Sequence, residues 1–100
     1  MHAQIQLDQR WIAAFCQKWQ IVEFALFGSV LREDFGPDSD IDVLVTFADE
    51  ARWSLLDVVT MRDELAEQFG RAVDIVEKSA IRNPYRRRHI LSSYEVVHAA

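Results

Sequence analysis

A single cysteine, Cys16, leaves this sequence unable to close an internal disulfide. Disulfide-stapled scaffolds are thereby excluded. Set in a helical pattern, the lone thiol reads as a buried apolar group, which fits a reducing cytoplasm. No apolar run approaches the roughly 20 residues a membrane helix needs. The N-terminal stretch has no apolar signal region, because Gln4, Gln6, Asp8, Gln9 and Arg10 interrupt it. Neither repeats nor low-complexity linkers divide the 100 residues, so one domain spanning 1–100 is expected. Positive charge is in deficit. A formal net charge of −5 argues against a general nucleic-acid binder, which needs clustered Lys and Arg for phosphate contacts.

What is present is apolar and unevenly charged. Half of the residues are hydrophobic, which suits a globular fold and argues against disorder. The basic residues Arg82, Arg86, Arg87 and Arg88 gather near the C-terminus. Such a run is a solvated face, or a surface that steers an acidic partner or a nucleotide.

Periodicity organises the rest. Leu7, Trp11, Phe15 and Trp19 recur every fourth residue and predict a helix over 7–19, widened by Ile12. Ile21 to Phe27 is a short β-branched and aromatic run that ends at Gly28 and reads as a strand. Ser29 is a fair N-cap for a short helix through Val30, Leu31 and Arg32. Gly36-Pro37-Asp38-Ser39 reads as a loop. From Asp40 to Phe47 the pattern alternates, with Ile41, Val43, Val45 and Phe47 on one face and Asp40, Asp42, Leu44 and Thr46 on the other. A second amphipathic helix is expected over 55–69, capped by Ser54 and stopped by Gly70, with Leu55, Val58, Val59, Leu65 and Phe69 on its core face. A third strand runs over 72–76, with Asp74 opposite Val73 and Ile75. Asn83-Pro84 starts a further helix through Leu91, and Tyr94 to His98 reads as an edge strand or a helix extension. The order α-β-α-β-α-β-α predicts an α/β (α+β) fold, a small mixed β-sheet flanked by helices.

Within this frame the acids stand out. Residues i and i+2 of a strand lie about 6.6 Å apart on one face, so Asp40 and Asp42 can converge on ions between them. Mg²⁺ prefers oxygen ligands and takes one or two carboxylates plus substrate phosphates. A neighbouring strand carrying Asp74 could supply a third carboxylate, and two ions about 3.5–4 Å apart can activate an attacking oxygen and stabilise a leaving one. Solvated acids at a strand start, or Asp74 paired to Arg71, are the plainer readings. A calcium loop starting at Asp38 is excluded, because it needs Gly and Glu where Val43 and Asp49 stand. The Gly-Ser pair upstream strengthens the metal-nucleotide reading. Gly28 allows close backbone approach to a phosphate, and a helix starting at Ser29 offers unpaired N–H groups to an anion. Arg32 contacts phosphate, or pairs with Glu33 or an aspartate.

Phe27-Gly28-Ser29, Arg32, and Asp38-Ser39-Asp40-Ile41-Asp42 followed by Val43-Leu44-Val45 resemble the signature of the DNA polymerase beta-type nucleotidyltransferase superfamily, and within it the minimal nucleotidyltransferase (MNT) group. Val73-Asp74-Ile75-Val76 resembles the strand carrying that family's third acid, and Asn83-Pro84-Tyr85 with the Arg-rich turn resembles the group's C-terminal stretch. The resemblance covers roughly residues 20 to 98 and implies the nucleotidyltransferase fold. It implies Asp40, Asp42 and Asp74 as catalytic residues and ligands of Mg²⁺, two ions in all, with Asp74 the third ligand or the base. It implies Gly28, Ser29, Arg32 and Ser39 as nucleotide-binding residues. The implied reaction is protein adenylylation: a hydroxyl attacks the α-phosphate of ATP and pyrophosphate leaves. The implied partner is an all-helical HEPN-type toxin, modified on a tyrosine, for which the chain is the antitoxin. The alternative is a module of the same fold that neutralises its partner by occlusion. Neither membrane nor nucleic acid is an expected partner. Arg82 and His89 also fit the R-x(4–6)-H pattern of the HEPN ribonucleases themselves, but three strands contradict an all-helical fold; His2, His89 and His98 are read as surface or packing residues.

Overall fold

The computed structural model describes residues 7–28, 36, 39–92 and 94–100. The short helix expected from Ser29 through Arg32 lies outside the described residues, as do His2, Pro37 and Asp38.

Helix α1 spans Gln9–Lys18 and is capped by Asp8, whose carboxylate accepts from the N–H groups of Arg10 and Trp11 at 3.1 Å each. This cap satisfies two of the orphan donors at the helix start and sets that start two residues inside the apolar stripe. Four strands follow: β1 (Ile21–Phe27), β2 (Ile41–Phe47), β3 (Val73–Glu77) and β4 (Tyr94–Ala99). They form one sheet in the order β3-β2-β1-β4. β1 is antiparallel to both β2 and β4, whereas β2 and β3 are parallel and joined across α2 (Leu55–Phe69). A parallel pair needs such a crossover, because a tight hairpin would reverse the strand. Helix α3 (Pro84–Leu91) follows a short 3-10 turn at Lys78–Ala80 and leads into β4. The segment from Tyr94, ambiguous in sequence, is therefore an edge strand.

The two sheet faces bury different sets. On one, Ile12, Phe15 and Cys16 of α1 and Met61 and Leu65 of α2 pack against Phe24, Leu26, Ile41, Val43 and Val45. On the other, Ile81 and Ile90 cover Ala25 and Leu44. The register of β1 against β2 shifts between Ile21 and Glu23, which lets Ile21 and Phe24 share the larger core despite their odd spacing. Cys16 is buried as expected, and desolvation pushes its thiol up to about 12.

α2 begins and ends as its sequence predicts. Ser54 and Asp57 form a capping box, and Gly70 closes the helix at φ +68°. Its expected core face holds at Leu65, which is buried, and at Phe69, which packs against the core, and is corrected at Leu55. Leu55 is 79 % exposed, and the buried residues are Met61 and Leu65. At about 100° per residue Leu55 lies about 120° around the helix from Met61, outside the buried seam. Among the described residues no helix is long and apolar enough to cross a membrane.

Candidate active site at the strand starts

At one end of the sheet β1 finishes while β2, β3 and β4 begin. Strand register lines up Asp74, Asp42, Phe27 and Tyr94 in one row across that end. Asp42 and Asp74 are direct partners in the parallel β2–β3 pair, on strands about 4.8 Å apart. Alternation along each strand puts them on the face that also carries Leu44 and Val76, the side covered by α3. Asp42 is half-buried, and Asp74 is exposed. Asp40 is also exposed and stands one residue ahead of β2. The row therefore brings Asp42 and Asp74 together. The three carboxylates do not close into a cluster: among the described residues, no three Asp, Glu, His or Cys gather around one point.

Gly28 lies directly against this row. Its φ is +76°, and a Cβ placed on it would collide with the Asp42 carboxylate. Glycine is needed here twice over, for the left-handed backbone and for the close approach. The arrangement leaves room for main chain beside the acid and for no side chain. Ser29 and Arg32, expected to bind phosphate, lie outside the described residues.

The loop entering β2 is tied down by a residue that sequence reasoning assigned elsewhere. The Ser39 hydroxyl accepts from the Gly36 N–H at 3.1 Å, and the Ser39 N–H donates to the Gly36 carbonyl at 3.1 Å. Arg71 then donates to the carbonyls of Gly36 at 2.6 Å and of Ser39 at 3.2 Å. The Ile41 N–H bonds to the Ala72 carbonyl at 2.9 Å. Arg71 thus clasps Gly36 and Ser39, ahead of Asp40, to the entry of β3, beside the pair of Asp42 and Asp74. Its sequence signal was a cation three residues ahead of Asp74, which suggests an ion pair. Among the described residues Asp74 has no ion-pair partner, and Arg71 serves the loop carbonyls.

Chemically, the row offers hard oxygen donors, which suit Mg²⁺ rather than a soft metal. A cleft of about 440 Å³ lined by Phe47, Asp49, Arg52, Trp53 and Glu77 lies at the opposite end of the sheet and includes none of the three acids.

Comparison with known proteins gives a consistent picture. The model of the family described as nucleotidyltransferase domain matches residues 9–97. A candidate protein adenylyltransferase of Methanocaldococcus jannaschii is 34 % identical over 74 residues, 74 % of each chain. The solved structure of a candidate minimal nucleotidyltransferase superposes with a TM-score of 0.68 at 31 % identity, covering 88 % of this chain and 85 % of that one. A chain from the complex of tri-AMPylated Shewanella oneidensis HEPN toxin with MNT antitoxin gives a TM-score of 0.66 at 17 % identity, over 92 % of this chain and 70 % of that one, a likeness of fold.

Proposed function

The chain belongs to the nucleotidyltransferase domain family, and from that premise we propose that it transfers AMP from ATP to a hydroxyl of a HEPN-type toxin and thereby acts as its antitoxin. The observation that carries this reading is the register of Asp42 against Asp74 beside Gly28. Support for the partner and for AMP as the group transferred comes from the similar complex with an AMPylated HEPN toxin.

In this mechanism Gly28 admits the phosphate chain of the nucleotide against the backbone, helped by Ser29 and Arg32. Ser39 and Arg71 hold the loop that carries Asp40. Asp40, Asp42 and Asp74 would hold Mg²⁺, which when bound supplies Lewis-acid stabilisation of the charge on the phosphates. In this reading Asp74, exposed at the edge of the row, accepts the proton of the incoming hydroxyl, the tyrosine of a partner. The hydroxyl oxygen bonds to the α-phosphorus as the bond to pyrophosphate breaks, and the proton goes to the carboxylate.

The test is transfer of labelled AMP from ATP to the HEPN-type partner in the presence of Mg²⁺. Wild-type protein labels the partner, and Asp40→Asn abolishes labelling. Retained transfer in that variant removes the metal role assigned to Asp40. The open arrangement of the three acids favours one other reading, occlusion without transfer. The mass of the partner recovered from co-expression separates the two, because only catalysis adds AMP units.

A further inference from the structure

Charge on this molecule is strongly segregated. Four of the 11 Lys and Arg residues, and none of the 16 Asp and Glu, fall within residues 82–91; the rest of the chain carries seven cations against 16 anions. This basic segment is α3 and its lead-in. α3 contacts the sheet mainly through Ile90, supported by Ile81 from the lead-in. Arg87 is half-buried and donates to the Lys78 carbonyl at 3.0 Å. Arg82, Arg86 and Arg88 are exposed and, among the described residues, have no ion-pair partner. By contrast Lys18, Arg62 and Lys78 each face a carboxylate. Among these arginines stands Tyr85, 81 % exposed and the most exposed large apolar side chain of the described residues. A tyrosine left in water among these exposed arginines has no role in this fold's core. Tyr and Arg are the residue types that anchor protein interfaces, and the guanidinium fork matches a carboxylate in two-bond geometry.

Position adds to composition. α3 lies on the sheet face that carries Asp42 and Asp74, and its C-terminal end returns the chain to Tyr94, which shares their row. Resting on the function proposed above, we infer that the outer face of α3 and its lead-in, formed by Arg82, Tyr85, Arg86 and Arg88, is the docking surface for an acidic patch on the protein that this chain modifies. An acidic surface is repelled by the remainder of the molecule and drawn to this helix, so the field selects the orientation of encounter. A partner seated there presents its hydroxyl over the same side of the sheet as the acids.

The experiment is a calorimetric titration of the chain with its HEPN-type partner at 50 and 200 mM NaCl. R86E/R88E is expected to weaken binding at least about tenfold at the lower salt, with a smaller deficit at the higher salt, as expected for exposed charges. Its thermal midpoint falls by a few degrees at most, because both side chains are exposed and only Arg88, in the last turn of α3, loses a favourable interaction with the helix dipole. Tyr85→Ala weakens binding at both salts. Wild-type affinity in the charge-reversal variant overturns the surface assignment, as does tighter binding of a 15-nucleotide oligouridylate than of the partner, or self-association through the same arginines. Failure of the wild-type chain to bind a HEPN-type partner overturns the functional reading along with it, so the two failures are distinguishable.

Discussion

Gly28 is the residue at which backbone and chemistry constrain each other most tightly. A left-handed φ of +76° costs a residue with a Cβ about 1–2 kcal/mol. At this position the Cβ also meets the Asp42 carboxylate, so the acid has to move. Gly28→Ala is therefore expected to have two effects of different size. Stability drops by about 1–2 kcal/mol, as measured by urea unfolding. AMP transfer falls further than that, by about a hundredfold, because displacing a catalytic group by about 1 Å has a cost of that order. Equal losses in folding and transfer would show that Gly28 serves only the turn. A different residue-scale property belongs to Cys16, whose raised pKa keeps it as an inert thiol in the core.

At the scale of elements, α1 and α2 are joined beside the core by one polar clasp. Glu64 of α2 accepts from Lys18 Nζ at 2.7 Å and from Trp19 Nε1 at 3.1 Å. Partial burial pushes its carboxyl up, but the bonds from Lys18 and Trp19 and the charge of Lys18 outweigh this and hold it below the ordinary value of 4.5. A folded pKa below the unfolded one means stability that is present above about pH 4.5 and lost as pH falls through the folded value. Glu64→Gln is expected to be less stable than wild type at pH 7, within the ~0–1 kcal/mol typical of such exposed pairs. The gap should close in paired denaturation curves as pH falls from 4.5 through the folded value, and a gap that widens on acidification would contradict the clasp. Elements of this kind were readable in sequence wherever a cap or a period marked them, as with Ser54 and Gly70 around α2 or Asn83-Pro84 before α3. The acid row was legible as well, because alternation fixes which side Asp42 and Asp74 share once two strands are adjacent. Three things were not legible. The seam of α2 turns towards Met61 because the packing of two helices on one sheet face decides it. β4 was ambiguous because its strand character comes from pairing with β1. Arg71 looked like a partner for Asp74 because a carbonyl acceptor leaves no trace in composition.

For the molecule as a whole, charge sets how it meets its nucleotide. The chain carries a net −5, and the proposed site adds three carboxylates at the place where a triphosphate must sit. ATP alone meets like charge there, and a divalent cation between carboxylates and phosphates reverses the sign of that interaction. Ligand linkage converts this into a stability measurement, since a ligand that binds only the folded chain at 100 times its Kd adds about 2.7 kcal/mol. For a domain of 60–100 residues, 1 kcal/mol corresponds to roughly 4–8 °C in Tm, so a shift of about 10–20 °C is expected with Mg²⁺ and ATP together. Either component alone should shift the midpoint by a small fraction of that. In Asp42→Asn the joint effect should shrink towards the sum of the separate ones, because a row partner of Asp74 has lost its charge. R86E/R88E, by contrast, should keep most of the wild-type shift, because the two exposed charges it reverses are screened by salt and are not among the residues proposed to meet the nucleotide. Thermal unfolding of these three proteins, each with Mg²⁺, with ATP and with both, measures nucleotide binding with no partner present; a wild-type shift with ATP alone as large as with the pair would show that the carboxylates do not act through a cation.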